Sequence, residues 1–545
     1  MKIALAQLNY HIGNIAGNLQ KMLSAVEDAR KQGADIICFG ELSVCGYPPR
    51  DFLEMDEFID QCLEAVETLQ SASRDIAIVV GSPMRNPTAA GKDLYNAAFF
   101  LYAGEIKGIQ HKTLLPTYDI FDEYRYFEPA KTFHTIAFKG KKIALSICED
   151  IWNVGNENPL YTVCPLDEMM GEGPDFILNL SASPFDSAHA KERIHTVRVN
   201  VQQYGIPLFY TNGVGAQTDI IFDGGSLVMS PDGSVFDEMP YFQEEIRVYD
   251  LASVLEGGRD QEQDKDKITL IHDALVVGIR DYFEKLGFKQ AIIGLSGGID
   301  SAVTTVLAVR ALGKEQVRVL LLPSQYSTGH SVEDARALAE NLGIQYDILP
   351  IKPVFEAFES ALHPFFNELP FNIAEENIQA RVRGVLLMAM SNKFGNILLN
   401  TTNKSEMAVG YGTLYGDMCG GIAVLGDVYK TEVFELARHI NASQVVIPEN
   451  SISKPPSAEL RPDQKDSDSL PPYDELDRLL FQYIEGRKGP KALVSMGFDP
   501  LLVTRVLRMV NQNEFKREQA PPVLRISTKA FGSGRRFPIV AKYSI

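Results

Sequence analysis

Two groups of residues in this chain could do chemistry, and they lie in different halves. In the second half, Ser296-Gly297-Gly298-Ile299-Asp300-Ser301 follows the apolar run Ala291-Ile292-Ile293-Gly294-Leu295 and leads into Ala302 to Val309. That order reads as buried strand, glycine-rich turn and helix. Such a turn lets the backbone approach an anion closely, and the helix start points its free amides at it. Ser296 and Ser301 add hydroxyl donors. Asp300 is out of place in a pure anion site, because a carboxylate repels phosphates unless a cation intervenes, so it reads as a Mg2+ ligand. The Gly-Lys-Ser/Thr ending of a Walker A loop is absent. An isolated Ser-Gly-Gly is an ordinary turn, whereas all six residues between a strand and a helix point to a nucleotide. In the first half, Glu41, Lys112 and Cys148 each stand at the end of a predicted strand. A thiolate can attack an amide carbon if a base takes its proton and a cation stabilises the oxyanion. Glu41 suits the base, Lys112 the oxyanion partner and Cys148 the nucleophile. Taken singly, the cysteine reads as a small core residue and the charged pair as solvated surface.

These residues need strands to hold them. In the first half, strands are predicted at Lys2 to Ala6, Asp35 to Phe39, Asp75 to Val80 and Lys141 to Ile147, with a hairpin around Ala103-Gly104. Asp175 to Leu180, Leu208 to Thr211 and Ser226 to Met229 complete the set. Helices are predicted over Asn18 to Gln32, closed by Gly33, and near Asp56 to Ala72. Alternation with hairpins suggests an α/β sandwich rather than one parallel sheet. The polar stretch Glu256-Gly257-Gly258-Arg259-Asp260 to Asp266 marks a boundary. The expected organisation is therefore a domain over 1–255, a linker over 256–266 and a domain over 267–545. The second domain opens with a helix over Lys267 to Leu286. Strands at Val317 to Leu322, Tyr346 to Ile351 and Asn396 to Asn400 alternate with helices at Ser331 to Asn341, capped by Ser331 and Asp334, and Glu375 to Lys393. This is a doubly wound parallel sheet, whose ligands belong at the strands' carboxyl ends. Asn450 to Pro472 is a long polar loop, either a lid over the site or a disordered insertion.

The 545 residues exceed one ordinary core, and 45% hydrophobic with 23% charged residues is a globular composition. A net charge of -19 argues against nonspecific nucleic-acid binding and for a cytoplasmic enzyme. The six cysteines form no CxxC pair and no zinc spacing, which suggests reduced thiols with one of them reactive. No apolar stretch is long enough to span a bilayer, and none near Met1 makes a signal core. Glu149 and Asp150, directly after Cys148, would raise its thiol pKa if they pointed inward, so they are expected to turn away or to orient neighbours.

The loop at 296–301 resembles the pyrophosphate loop of ATP pyrophosphatases, which split ATP into AMP and pyrophosphate. Phe39-Gly40-Glu41-Leu42, His111-Lys112-Thr113-Leu114-Leu115-Pro116 and Ser146-Ile147-Cys148-Glu149-Asp150 resemble the nitrilase/amidase superfamily at all three catalytic positions. The superfamily resemblance implies an α-β-β-α sandwich. Together the halves resemble the glutamine-dependent NAD+ synthetase family over nearly the whole chain. Segments Glu375 to Gly384, Thr401-Thr402-Asn403-Lys404-Ser405-Glu406, Gly410 to Asp417, Lys454 to Leu460 and Glu514 to Arg517 carry that likeness. It implies that L-glutamine meets Tyr118, Ser183 and Lys191, with Ser187-Ala188-His189-Ala190 lengthening the last spacing. It also implies that Gly294 to Ser301, Thr401, Lys430 and Ser457 serve ATP. Asp300 and Glu406 would hold Mg2+, and Asn377, Arg381, Glu406 and Lys516 would line the deamido-NAD+ site. A homo-oligomer, at least a dimer, with no nucleic-acid or membrane partner is expected. Where ammonia-using relatives carry a lysine this chain has Leu414, so no contact is transferred there. The implied activity is amidation of deamido-NAD+ by glutamine-derived ammonia through an adenylate, giving AMP, pyrophosphate and glutamate. The alternatives are another glutamine-fed ATP pyrophosphatase acting on a different carboxylate, or a non-catalytic nucleotide-binding scaffold.

Overall fold

The apolar runs of the first half pair into two six-stranded sheets in the computed structural model. It describes every residue except 89, 155–159, 262, 264, 265, 368, 463 and 542–545. One sheet runs Glu245–Asp250, Lys2–Gln7, Ile36–Cys38, Ala77–Arg85, Leu94–Tyr102, Glu105–His111. The other runs Val235–Glu238, Leu227–Met229, Leu208–Asn212, Phe176–Ser181, Lys141–Ile147, Ile136–Phe138. Each has a parallel centre and antiparallel flanks. Because strand side chains alternate, each sheet buries both faces. Ile3, Leu5, Ile36 and Val79 meet Ile143, Leu145 and Phe176 between the sheets. Ala4, Ile37 and Val80 pack outward with residues of helices Ile15–Lys31 and Asp56–Ala72. Ala144, Ile177 and Leu208 pack with residues of helices Pro165–Met170 and His189–Tyr204. The result is an α-β-β-α sandwich, as the resemblance implied.

The expected strand set was incomplete. Ile136–Phe138, Val214–Gln217, Ile220–Asp223, Val235–Glu238 and Glu245–Asp250 are also strands. All but the last are no longer than four residues, and the hairpin over 214–223 turns at Thr218, with φ of 59°, instead of at a glycine. Helix His189–Tyr204 went unpredicted because Thr196-Val197-Arg198-Val199-Asn200-Val201 alternates like a strand. Its buried side chains, Ile194, Val197 and Val201, nonetheless recur at helical spacing.

The chain divides into the units Met1–Lys265 and Asp266–Ile545. Glu262, Asp264 and Lys265 of the expected linker lie outside the described residues, while Gln261 and Gln263 hydrogen-bond to Val235 and Glu238 of the first unit. The second unit opens with helix Lys267–Leu286, capped by Asp266. Its sheet is five-stranded and wholly parallel, in the order Gln345–Ile348, Val317–Leu321, Ala291–Gly294, Ile397–Asn400, Ile422–Ala423. The order reverses between Ala291–Gly294 and Ile397–Asn400, which opens a crevice at their carboxyl ends. Two expectations are corrected. The helix predicted from Ser331 begins at Gly329, and its cap is Thr328, whose side chain accepts from the Ser331 amide. Segment 450–472 carries the helix Glu449–Ser453 and a short 3-10 turn at Asp466–Asp468. Helix Lys352–Phe366 was also missed, and it buries only Phe355 fully.

Candidate functional site

In the first unit, three strand ends converge on one buried cluster. Glu41 follows strand Ile36–Cys38 through Gly40, where an added Cβ would stand 2.9 Å from the Ser181 carbonyl. Lys112 follows Glu105–His111, and Cys148 follows Lys141–Ile147. The Lys112 Nζ donates to Glu41 Oε1 at 2.6 Å and to Glu123 Oε1 at 2.8 Å, with the lysine side chain fully buried. Asn96 Nδ2 also donates to Glu41 Oε1 at 2.7 Å, and the Ala182 amide reaches Oε2 at 3.3 Å. Tyr47 OH donates to Glu123 Oε1 at 2.7 Å. Burial works against charge on Lys112, but Glu123 and Glu41 hold its pKa well above the ordinary lysine value. Burial raises Glu123 to about 7 in spite of Lys112.

Cys148 begins a 3-10 turn at φ of 43° and is 7% exposed. Left-handed backbone is uncommon for a side chain with a Cβ and marks a site held by its surroundings. Burial, reinforced by Glu41 and opposed by Lys112, pushes its thiol well above the ordinary value. At rest it is therefore a thiol, and its reactivity needs a base beside it. Both following acids are buried and Glu149 adds to the rise in the thiol, so neither turns away to solvent as one expectation had it; each also orients neighbours. Asp150 Oδ1 accepts from the Thr113 and Leu114 amides at 2.9 and 2.8 Å, tying the cysteine turn to the residues after Lys112. Glu149 accepts from Tyr118 OH at 3.0 Å and Tyr161 OH at 2.7 Å.

The glutamine contacts expected by resemblance are placed unequally. Tyr118 meets Glu149 as above. Ser183 is buried, and its Oγ lies 2.7 Å from His189 Nε2, whose ring stacks on Trp152 with centroids 5.2 Å apart. Lys191 is exposed in the first turn of the same helix. Two residues along a helix is a rotation of about 200°, so Lys191 and His189 point to opposite sides. Glu123 and His189 were missed by sequence reasoning. Glu123 sits among other acids with nothing to single it out. For His189 the signal was present, because the lengthened spacing from Ser183 to Lys191 contains it.

In the second unit, a cavity of about 640 Å³ opens at the crevice, within the range of small-molecule sites. Every residue expected there lines it except Gly297. Gly297, at φ of 81°, lies against the neighbouring backbone, and a Cβ there would stand 2.1 Å from the Ser331 carbonyl. Ser296 Oγ lies 3.1 Å from Ser301 Oγ and accepts from the Gly298 amide at 3.2 Å. Helix Ile299–Leu312 starts at Gly298 with no side-chain cap, which leaves its first amides available to an anion. Asp300 Oδ1 accepts from Asn403 Nδ2 at 2.9 Å, and Oδ2 from Lys430 Nζ at 2.5 Å. The same ammonium lies 3.4 Å from Glu406 Oε1. Burial raises Glu406 to about 8 against the pull of Lys430.

The remaining expected residues ring the cavity. Asn377 Oδ1 accepts from Thr413 at 2.9 Å, and Arg381 Nε donates to the Leu414 carbonyl at 3.2 Å. Lys516 Nζ reaches the Gly410 and Gly412 carbonyls at 2.8 and 2.9 Å, and burial lowers its pKa. Arg383, which alone would pass for a solvated helix face, is held on the Leu322 carbonyl at 3.0 Å and lowered to about 10 by burial. Thr401 follows strand Ile397–Asn400, and Ser457 Oγ donates to Gln464 at 2.5 Å. Segment 450–472 packs on the loop: Ser451 Oγ donates to the Gly297 carbonyl at 3.0 Å, and Ser331 Oγ to Glu459 at 2.6 Å.

Residues 2–258 match the carbon-nitrogen hydrolase family model and residues 271–520 the NAD synthase model. The chain is 45% identical over 99% of both chains to the glutamine-dependent NAD(+) synthetase of Synechocystis sp.. It is 44% identical to that of Acinetobacter baylyi, over 99% of this chain and 98% of the relative. The solved glutamine-dependent NAD+ synthetase of Acinetobacter baumannii, in complex with adenosine diphosphate, matches 99% of this chain and 98% of its own. That match has a TM-score of 0.79 at 40% identity. With both half-chain sites assembled and full-length relatives at this identity, the chain belongs to the glutamine-dependent NAD+ synthetase family.

Proposed function

We infer that this protein is a glutamine-hydrolysing NAD+ synthase, which amidates deamido-NAD+ at the expense of ATP with ammonia from L-glutamine. One observation carries the reading: a single chain holds a buried Cys-Lys-Glu cluster and a Ser-Gly-Gly-lined nucleotide cavity, the two chemistries that the reaction needs. Residues 1–255 supply ammonia, 256–266 link, and 267–545 use it.

Glu41 takes the Cys148 proton as sulfur attacks the glutamine carboxamide carbon, and the Lys112 ammonium stabilises the oxyanion. The proton returns to the leaving nitrogen, so ammonia departs and a thioester remains. Water, deprotonated by Glu41, then cleaves the thioester to glutamate and restores the thiol. Glu123 keeps Lys112 charged and aimed. For the zwitterionic end of glutamine, Glu149 with Tyr118 suits the α-ammonium, and Ser183 with His189 suits the α-carboxylate. His189 takes the place that the resemblance gave Lys191.

In the second unit the nicotinate carboxylate attacks the α-phosphorus of ATP and pyrophosphate leaves. Ser296, Ser301 and the amides at the start of the helix hold that pyrophosphate, with Thr401, Lys430 and Ser457 on ATP. Asn377, Arg381, Glu406 and Lys516 hold deamido-NAD+. Ammonia then attacks the acyl carbon of the adenylate and AMP leaves. Asp300 and Glu406 fit a Mg2+ ion, because their oxygens already share one positive charge, that of Lys430. When bound, the ion supplies charge to the phosphate oxygens.

The protein is further proposed to be a cytoplasmic homo-oligomer, at least a dimer. Phe365 at 80% and Phe358 at 45% exposure, on a helix that buries little of its apolar surface, support self-association. Among the described residues no helix is long and apolar enough to cross a membrane. The test of the function is ATP-dependent AMP release measured with deamido-NAD+ against a panel of other carboxylates. Release with deamido-NAD+ alone is expected, and equal release with an unrelated carboxylate would remove the substrate assignment.

A further inference from the structure

The carboxylates of Asp300 and Glu406 do not stand waiting for a metal. Lys430 Nζ is 2.5 Å from Asp300 and 3.4 Å from Glu406, and its side chain is only 2% exposed. The arrangement is built. Lys430 begins helix Lys430–Asn441, and its amide donates to Ser405 Oγ at 2.9 Å. Ser405 in turn is neighbour to Glu406. Asn403 clamps the other side, donating to Asp300 Oδ1 at 2.9 Å and accepting from the Glu406 amide at 2.9 Å. A third carboxylate, Asp466, is held by Tyr473 OH at 2.8 Å and Tyr411 OH at 3.2 Å, and its charge acts on Lys430.

We propose that Lys430 is a built-in stand-in for the divalent cation: its ammonium holds Asp300 and Glu406 until metal and polyphosphate arrive together, and then surrenders them. The physical reason is simple. Two carboxylates this close repel in a poorly solvated cavity, and one ammonium between them removes that repulsion. An ammonium and a dication cannot share the same oxygens without a larger repulsion of their own. Metal alone must therefore displace a buried cation whose other carboxylate neighbour, Asp466, already accepts from Tyr473 and Tyr411. Metal with ATP brings the destination, because the phosphates accept the freed ammonium. The exchange makes metal and nucleotide binding mutually dependent beyond the affinity of Mg2+ for ATP itself. It also keeps a stray dication from settling on the two carboxylates without nucleotide.

The inference rests on the reading of Asp300 and Glu406 as metal ligands. The experiment is calorimetric titration of Mg2+ alone, without nucleotide, into wild type, Lys430→Met and the double variant Asp300→Asn/Lys430→Met. Lys430→Met is expected to bind Mg2+ at least about tenfold more tightly than wild type, and the double variant to lose that gain. Binding by Lys430→Met no tighter than wild type overturns the proposal. If Lys430→Met does not fold, a wild-type crystal structure with Mg2+ and a non-hydrolysable ATP analogue decides. Lys430 moved onto a phosphate oxygen supports the exchange, and Lys430 still hydrogen-bonded to Asp300 overturns it. Failure of the underlying reading looks different: Asp300→Asn alone would then keep a normal Mg2+ dependence of AMP formation.

Discussion

Lys112→Met removes the one ammonium shared by Glu41 and Glu123 and leaves two buried carboxylates, with side chains 0% and 6% exposed, facing each other. Breaking one side of such a buried pair costs about 3–5 kcal/mol. For a unit of this size that is a fall in Tm of roughly 6–20 °C. The deficit depends on pH. With Lys112 present Glu123 titrates at about 7, and without it the value rises further. A carboxyl whose folded pKa is raised keeps its proton when folded, so its contribution declines as pH rises from about 4.5 through the folded value. The variant therefore recovers part of its loss at about pH 6 and shows the full deficit at about pH 8. Trp152 is the chain's single tryptophan and lies in the first unit, so its fluorescence follows that unit through a thermal melt. Glutamine-dependent synthesis should fall by at least about 10²-fold, the usual cost of losing an oxyanion partner, while ammonium-dependent synthesis persists in the folded variant. A deficit equal at both pH values, or larger at the lower one, would refute the charge-sharing argument.

Asp300→Asn should sharply reduce AMP formation while glutamine hydrolysis stays measurable; near-normal AMP formation at ordinary Mg2+ removes the ligand role. His189→Gln keeps a polar side chain beside Ser183 but loses the imidazole that meets its hydroxyl and stacks on Trp152, so KM for glutamine should rise with little change in kcat. Lys191→Gln should leave both nearly as they are, and a KM effect confined to Lys191→Gln would return the contact to that residue.

The parts legible in the sequence share one property: each lay at the end of a strand that could be predicted. Ala291 to Leu295 before Ser296, Lys141 to Ile147 before Cys148 and the hairpin strand before Lys112 all fixed a side chain at a strand's carboxyl end. Local pattern therefore carried the positions, and the sheets brought them together. What the pattern missed depends on tertiary partners. Glu123 becomes distinct only because burial sets it on Lys112 and Tyr47. Helix His189–Tyr204 went unassigned, because its buried stripe is defined by packing on the sheet. Lys430 was expected on ATP by resemblance, yet in this structure it bridges two carboxylates. Electrostatic pairing across 130 and 24 residues leaves no local trace.

The central claim is that one unit makes ammonia through Cys148 and the other spends it. Purified, folded Cys148→Ala, run side by side with L-glutamine and with ammonium salt, tests it directly in the presence of deamido-NAD+ and ATP. No thioester can form without the thiolate, so NAD+ should fail to appear from glutamine. From ammonium salt it should form, and faster as pH rises and more free NH3 is present. NAD+ made from glutamine by this variant, or none from either source, would contradict the claim.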